Sequence, residues 1–448
     1  MLLNNGFPRR LQIVIQLIAA TFLLLIPMFY NGCPLYYPDS MGYIFWGQLW
    51  QPVPERVSTY ALFIRFFAAG RDLWFPVIAQ TLIISYLLRR IWIQLTGKDP
   101  DGFFYAAFFC LGLLSPLGWT ASTLMPDLFC VSSSLFLYLL LFPGEGKKPS
   151  WWHIAGFVFT ASQHLSNLMV NGLLLGVFAL FYLIKGRFQP ILPGLLMAFS
   201  GILITIITIG MAHKFLSGDF FLSKSGPAFL TGRIIETGIA NRFLNQEPDL
   251  CPEFQKEKSA FPMSLESYLW NNNSPLKRLG GLHDSLDFHR KFNREVFSRP
   301  WNLVLFLKAG IKSGVKQLFL LDIGDGLTMG SFDQLCFYPE NQAEYKLSKQ
   351  ISGIDFEKLN LWTNACLVLL ILTFVFNLRH FDQGNEPLMA LGFFVLLLCL
   401  SNAFVNGSLA TPLNRYQVRV FWLVYFWLLA ASYPVFNSNF PPNRNKTI

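Results

Sequence analysis

The chain contains 448 residues, of which 53% are hydrophobic and only 14% are charged. Soluble domains carry about a quarter charged residues, so this composition excludes an ordinary soluble protein and indicates an integral membrane protein. The formal net charge is +9, but no basic stripe with interleaved aromatic residues is present, and we therefore expect no nucleic-acid partner.

Ten apolar segments approach the length of about 20 residues that a helix needs to cross a bilayer. The first follows a pair of arginines and lacks a small-x-small cleavage site, so we interpret it as a signal anchor. The fifth and sixth run together around 163–167, and they either cross separately or form one broken hairpin. The predicted spans are 11–30, 75–93, 102–119, 127–142, 152–166, 168–184, 190–212, 361–378, 387–405 and 418–436.

The segment 213–360 is too polar to span a membrane and contains most of the acidic residues. We therefore predict an all-α polytopic membrane protein with about ten transmembrane helices and an inserted external domain. An N-terminal membrane bundle occupies 1–212, with a first external loop at 31–74. The external domain follows at 213–360, and C-terminal membrane helices occupy 361–448.

One segment of the external domain, 301–321, is apolar but carries Lys308, Lys312 and Lys316 on one helical face. This pattern favours a helix that lies in the membrane interface, where its lysines attract lipid phosphate. The alternative is a tilted eleventh span, which would invert the later loops and disturb the distribution of basic residues.

That distribution predicts which side of the membrane each connection faces, because cytoplasmic loops are enriched in Lys and Arg. It places both termini in the cytoplasm and the large domain outside, as expected for a bacterial inner (plasma) membrane protein. Asp39, Asp127, His164 and Arg415 then share the external face. The predicted cytoplasmic basic residues are Arg9, Arg10, Arg89, Arg90, Lys98, Lys147, Lys148, Lys185, Arg187, Arg379, Arg444 and Lys446.

Two Pro-Asp pairs lie at the external mouths of predicted spans, with Asp39 after the first span and Asp127 at the start of the fourth. A carboxylate at a partly desolvated membrane face has a pKa that can rise toward the range useful for a general base. Asp39 is therefore the candidate base, and Asp127 is a second acid that orients the acceptor or binds a metal. The alternative is helix capping, by Asp39 or Ser40 at a helix starting near Met41 and by Asp127 at the fourth span.

Polar residues near later spans complete the external face. His164 is either a hydrogen-bonded histidine inside a helix break or a donor to an anionic substrate group. Arg415, Tyr416 and Arg419 lie at the mouth of the last span. An arginine there either pairs with lipid phosphate or clamps the phosphate of a lipid-linked substrate, because its planar fork suits bidentate binding.

Two further residues belong to the candidate substrate-binding set. Tyr43 follows Asp39 in the first external loop, and Arg233 lies in the external domain. Arg233 also has a local partner, Glu236, three residues further on.

The remaining polar clusters carry weaker signals. His283, Asp284, Asp287 and His289 fit no zinc motif, and we expect them to form a solvated face.

The seven cysteines include no C-x-x-C pair and therefore no metal signature. Cys110, Cys130, Cys366 and Cys399 fall in predicted spans and are interpreted as packing residues. Cys33, Cys251 and Cys336 face outside, where disulfides can form, and Cys251 with Cys336 is the suggested pair. No cofactor is assigned, and the participation of a divalent cation stays open.

The first-loop aspartate, the acid after the third span and the late Arg-Tyr pair together resemble the GT-C superfamily of membrane glycosyltransferases. Protein mannosyltransferases and the lipid A aminoarabinose transferases belong to this group. The resemblance implies an inverting transfer in the cell envelope from a polyprenyl-phosphate sugar donor to a glycan, lipid or protein acceptor. It implies Asp39 as base, Asp127 as supporting acid and Arg415 as a contact to the donor phosphate. Many members have paired acids where this chain has Asp39-Ser40, and several place the external domain after the last spans.

Two other classes of function stay open. One is a polymerase or ligase of surface polysaccharide, which also uses a large external loop. The other is a transporter or lipid-flipping protein, which needs polar groups near the bilayer centre. The candidate residues here lie at one face, which favours chemistry on a lipid-borne substrate.

Overall fold

A computed structural model describes residues 8–144, 146–186, 188–327, 332–376 and 386–436. It is 77% helical, and its described residues form no β-strand beyond an isolated bridge between Leu35 and Thr123. The predicted all-α class is confirmed. Four of the predicted cytoplasmic basic residues, Arg187, Arg379, Arg444 and Lys446, lie outside the described residues.

The N-terminal half is built from eleven helices, several of which form pairs within one predicted span. Proline explains two of the interruptions, because it lacks an amide hydrogen and disfavours a helical residue before it. Pro27 lies at the start of α2 and Pro116 at the start of α7. The helices are α1 (Arg9–Leu24), α2 (Ile26–Asn31), α3 (Pro38–Gln48), α4 (Thr59–Ala68), α5 (Trp74–Thr96), α6 (Gly102–Leu114), α7 (Pro116–Ala121), α8 (Asp127–Leu141), α9 (Trp151–Ala161), α10 (Leu165–Ile184) and α11 (Phe188–Ser217).

The polar middle of the chain folds into short helices around a separate hydrophobic cluster that runs from Ala228 to Phe306. Only one helix there exceeds 12 residues in length, namely α19. The helices are α12 (Gly226–Glu236), α13 (Ile239–Gln246), α14 (Pro252–Glu257), α15 (Leu265–Trp270), α16 (Pro275–Arg278), α17 (Gly281–Asp284), α18 (Leu286–Phe297), α19 (Pro300–Leu318), α20 (Pro339–Leu347) and α21 (Lys349–Ser352).

Three long helices close the chain: α22 (Phe356–Phe376), α23 (Glu386–Leu409) and α24 (Asn414–Phe436). Five helices among the described residues are long and apolar enough to cross a membrane. They are α5, α10, α11 within Gln189–Ser217, α22 and α23. The membrane class is therefore supported. The ten predicted apolar segments coincide with helices, but only five of the described helices have the length and composition of a span.

Helix α19 packs closely against α23 through glycines. A Cβ atom on Gly407 would lie 2.5 Å from the backbone nitrogen of Gly314, and one on Gly310 would lie 2.4 Å from the Ser408 hydroxyl oxygen. Small residues at four-residue spacing allow two helix backbones to approach in this way. Lys308, Lys312 and Lys316 lie on the exposed side of α19, away from this contact.

Two predictions about the middle region are wrong. All seven cysteines are free, so Cys251 and Cys336 form no disulfide; Cys251 is buried and Cys336 is exposed. His289 is fully buried against Phe254, Tyr268 and Phe288, rather than on a solvated face. Its position on the amphipathic helix α18 determines this, because it shares the inner face with Phe292 and Val296. Asp284 and Asp287 are exposed as expected.

The contact between α19 and α23 predicts a stability difference between two glycines. We expect Gly407→Ala to lower the free energy of unfolding by about 1–3 kcal/mol, because backbone atoms cannot move aside as a side chain can. Gly172→Ala in α10, where a Cβ would meet nothing within 4 Å, should be neutral or stabilising. Equal effects in a denaturant titration of the purified protein would contradict this packing.

Burial of His289 predicts a loss of stability in acid. Desolvation lowers the pKa of His289 from 6.5 to about 4, so between these values the unfolded chain binds a proton that the folded chain excludes. Stability therefore falls as the pH drops from about 7 toward 4, by about 3 kcal/mol for a shift of this size. The Tm of His289→Leu should depend less steeply on pH over this interval, whereas exposed Arg290→Gln should keep the wild-type slope. An unchanged slope in His289→Leu would refute the assignment.

Candidate functional site

The loop 31–74 packs against the start of α8, and this contact brings the two predicted acids together. The Leu35 amide donates to the Ser122 carbonyl oxygen at 3.0 Å, and the Leu124 amide donates to the Leu35 carbonyl oxygen at 2.9 Å. The Ser40 hydroxyl then donates to the Leu124 carbonyl oxygen at 2.8 Å. Helix α3 is thereby fixed beside α8.

Asp39 lies in the first turn of α3, and neither it nor Ser40 is the N-cap residue. The helix begins at Pro38 with Tyr37 as N-cap, and the Tyr37 amide donates to the Ser40 hydroxyl at 3.0 Å. The capping interpretation of Asp39 is therefore wrong in detail, although a carboxylate in the first turn still interacts favourably with the helix dipole. Its oxygens remain available for other partners.

Two arginines hold the Asp39 carboxylate, one on each oxygen. Arg56 donates to Oδ1 at 2.7 Å and Arg415 donates to Oδ2 at 3.0 Å. Burial alone would raise the pKa of Asp39, but the two guanidinium groups outweigh it and lower the pKa below its ordinary value. The expectation of a raised pKa is wrong for this reason. Asp39 is an ionised carboxylate with 27% of its side chain exposed.

Asp127 shares one of these arginines and has a second of its own. It is the first residue of α8 and is 7% exposed. Arg415 Nε lies 3.8 Å from Asp127 Oδ2, and Arg419 donates to Asp127 Oδ1 at 3.2 Å. Asp39, Arg415, Asp127 and Arg419 therefore form one chain of alternating charges. It brings together Asp39, Asp127 and Arg415, three of the four groups that the sequence predicted to share one face.

Arg419 is almost completely buried, at 1% exposure, and polar oxygens surround its guanidinium group. It donates to Asn402 Oδ1 at 3.0 Å and to Ser166 Oγ at 3.1 Å, and Asn406 Oδ1 lies 3.4 Å away. A buried charge needs such partners because desolvation is costly. Arg419 therefore joins α24 to α8, α10 and α23, and we assign it a positioning role.

His164 lies in the break between α9 and α10, where it caps α10. The Ser166 amide donates to His164 Nδ1 at 3.2 Å, which supports the interpretation as a hydrogen-bonded histidine. Ser166 in turn accepts from Arg419, so His164 is one residue removed from the charge chain.

Aromatic rings line the arginines. The Arg415 guanidinium carbon lies 4.9 Å from the centre of the Tyr37 ring and 5.3 Å from that of Tyr416. Arg56 lies 5.5 Å from the centre of the Tyr43 ring, whose fully buried hydroxyl has no hydrogen-bond partner. Tyr43 and Tyr416 thus adjoin the charged groups. Tyr43 is buried against Arg56 and is not part of an open surface.

A small cavity of about 30 Å³ adjoins this charge chain. Asp127, Arg415 and Arg419 line one side of it, and the loop 322–327 after α19 lines another. The loop is held by Asn414, whose amide donates to Asp325 Oδ2 at 2.9 Å. Asp39 is not among the lining residues, and it meets the cavity through Arg415.

The other predicted binding residues lie elsewhere. Arg233 is buried in α12, pairs with Glu236 and donates to the Gly407 carbonyl oxygen at 2.7 Å. It therefore satisfies the carbonyl end of α23, which is a structural task. Lys308, Lys312 and Lys316 are exposed on α19, and no contact brings them to the charge chain.

Sequence reasoning missed Arg56 and the acids of the loop 322–327. Arg56 stands in the loop 31–74 next to Glu55, a sequence pattern that suggests a local pair. The loop acids Asp322 and Asp325 flank Ile323-Gly324 directly after an amphipathic helix, and this Gly-containing turn was the available signal. Among the described residues no group of three His, Cys, Asp or Glu side chains could hold a metal ion.

Comparison with family models, with curated proteins and with solved structures finds no match. The functional assignment therefore rests on the residues and their geometry.

Because Arg419 is buried, its replacement should destabilise the folded protein much more than the replacement of an exposed arginine. Arg419→Met should lower the free energy of unfolding by about 3–5 kcal/mol, because Asp127 loses its closest positive partner while it stays buried. Exposed Arg290, paired with Asp287, is the matched control, and Arg290→Met should change little. In a double-mutant cycle, adding Asp127→Asn should recover part of the loss. Strict additivity would show that the two charges are not coupled.

Proposed function

We propose that the protein is an inverting membrane glycosyltransferase that uses a polyprenyl-phosphate sugar donor. The observation that carries this proposal is the shared arginine: Arg415 binds the Asp39 carboxylate at 3.0 Å and lies 3.8 Å from Asp127 at the edge of a cavity. A movable positive group between an ionised carboxylate and a cavity suits the transfer of a sugar from an anionic leaving group.

The donor phosphate competes with Asp39 for Arg415. A guanidinium fork binds phosphate and carboxylate in the same bidentate manner, so an arriving phosphodiester draws Arg415 toward the cavity. Asp39 then keeps Arg56 as its partner, at 2.7 Å, and one carboxylate oxygen becomes free. That oxygen accepts the hydrogen bond of the acceptor hydroxyl.

The step is a single displacement. The acceptor oxygen forms a bond to the anomeric carbon, the bond from that carbon to the phosphate oxygen breaks, and the hydroxyl proton passes to Asp39. A carboxylate with a lowered pKa is a weak base, which suffices because the oxygen becomes acidic as it bonds to an oxocarbenium-like centre. The lipid phosphate leaves as an anion beside Arg415, and the configuration inverts.

The same proposal includes the membrane topology. In this proposal α1 with α2 and α6 with α7 form one crossing each, and eight further helices also cross: α5, α8, α9, α10, α11, α22, α23 and α24. This assignment gives the ten proposed crossings. The segment 213–360 then forms the external domain and α19 lies near the interface. The distribution of basic residues supports cytoplasmic termini in a bacterial inner membrane, with a glycan, lipid or protein as acceptor.

Replacing Asp39 by Asn should abolish transfer while the protein remains folded. Loss of the general base costs about 10²–10⁴-fold in rate. The measurement is transfer of radiolabelled sugar from short-chain polyprenyl-phosphate donors to an envelope extract, with the protein reconstituted in liposomes. Exposed Asp287→Asn, which removes a carboxylate paired with Arg290, is the control and should keep wild-type activity.

Three outcomes separate the alternatives. Transfer by Asp39→Asn at the wild-type rate would exclude Asp39 as the base. Processive addition of repeat units by the wild type would indicate a polysaccharide polymerase. Movement of the donor lipid across the membrane with no transfer of sugar would indicate a transporter and overturn the proposal.

A further inference from the structure

A second cavity, of about 200 Å³, lies beside α3. Its lining comprises Trp46, Gln51, the segment 52–54, Phe221 and Lys224. None of these residues contributes to the charge chain around Asp39. The cavity joins the end of α3 to the segment that follows α11.

The second cavity and Asp39 share one face of α3. Trp46 follows Asp39 by seven residues, which is almost two full turns and a rise of about 10 Å. Arg56 lies along the same face. It donates to Asp39, and its Nη1 would lie 3.9 Å from a Cβ atom added to Gly42, which stands between Asp39 and Trp46 in the helix. Trp46 and Asp39 therefore lie on one face of α3, about 10 Å apart along the helix.

The walls of this cavity are held in place. The Val53 amide donates to Ser58 Oγ at 2.9 Å, and Ser225 Oγ donates to the Pro54 carbonyl oxygen at 2.8 Å. Trp50, which leads into the wall, has a φ of 54°, an unfavourable conformation for a bulky residue. The surrounding contacts maintain it, so the cavity is preformed.

Phe221 is a fixed wall, and Trp46 is the available aromatic surface. His213 stacks on Phe221 with ring centres 4.1 Å apart, and Lys224 Nζ lies 4.6 Å from the Phe221 ring centre. Phe221 therefore already has partners for its ring, whereas Trp46 is half-buried and meets Phe45 edge-on at 5.1 Å. Gln51 and Lys224 add hydrogen-bonding groups at the rim.

We propose that this cavity binds a pyranose ring of a glycan acceptor, stacked on Trp46. A sugar ring presents an apolar face of C–H groups and a polar edge of hydroxyls, which match an aromatic plane bordered by an amide and an ammonium group. A sugar held there directs the next residue of the glycan toward Asp39. The assignment as acceptor rests on the proposed function, whereas the binding of the sugar ring does not require transfer.

The experiment measures binding without turnover. Full-length protein in nanodiscs of deuterated lipid is mixed with methyl pyranosides and disaccharides of glucose, galactose, mannose and N-acetylglucosamine. We expect saturation-transfer NMR to detect ring C–H protons of at least one sugar. Trp46→Ala should weaken that binding about tenfold, and Trp46→Phe should retain part of it. Trp301→Ala, at a half-exposed tryptophan on α19 beside Arg242, should bind as the wild type does.

The outcomes also separate this proposal from the preceding one. Absence of any Trp46-dependent sugar signal overturns the subsite, as does a Trp46-dependent signal from short-chain phosphatidylcholine in place of sugar. Trp46-dependent sugar binding without transfer in the wild type leaves the subsite standing and removes the glycosyltransferase assignment. If Trp46→Ala does not affect transfer and no sugar binding is detected, the subsite is excluded and the glycosyltransferase assignment stands.

Discussion

The alternating chain of Asp39, Arg415, Asp127 and Arg419 constrains the rest of the structure. Each of these charges is wholly or largely removed from water, and an unpaired charge in such surroundings would be costly. The pairs therefore have to form together, and they join the loop 31–74, α8 and α24. Arg419 extends the constraint through Asn402 and Ser166 to α23 and α10. The candidate site is consequently also a structural junction of the membrane helices.

The polar middle region takes part in the site through the loop 322–327. Glycine contacts hold α19 against α23, and the chain leaving α19 then meets Asn414 at the start of α24. A second link joins Gln350 to the first loop, since its side chain accepts from the Tyr36 amide and donates to the Tyr36 carbonyl oxygen. A region that is distant in sequence thereby forms one wall of the cavity.

The position of Asp39 between two arginines affects its strength as a base. Lowering of the Asp39 pKa keeps the carboxylate charged, but it also makes the group a weaker base than a desolvated acid would be. Arg56 and Arg415 do not contribute equally, because only Arg415 also lines the cavity. A ligand that attracts Arg415 alters the surroundings of Asp39 without moving α3. In the proposed mechanism, binding of the donor phosphate would therefore also change the basicity of Asp39.

Several features could be predicted from sequence because they depend on local patterns. Apolar runs predicted the helical membrane class, and the distribution of basic residues predicted a shared side for Asp39, Asp127, His164 and Arg415. The structure brings three of these, Asp39, Asp127 and Arg415, close together. Other features depend on distant partners. Arg56 pairs with Asp39 rather than with its neighbour Glu55, and Arg233 donates to the end of α23. These partners could not be predicted from the sequence, because an ion pair depends on which groups lie nearby in the folded chain.

By itself the sequence determined the helical membrane class, the polar insertion and the identity of the main charged groups, since hydrophobicity and residue type are properties of the chain. Tertiary structure decided that His289 is buried, that Cys251 and Cys336 stay free, and that the pKa of Asp39 is lowered. It also decided that Trp46 adjoins a cavity. These outcomes depend on distances between residues far apart in the chain, and electrostatic and packing energies change steeply with such distances.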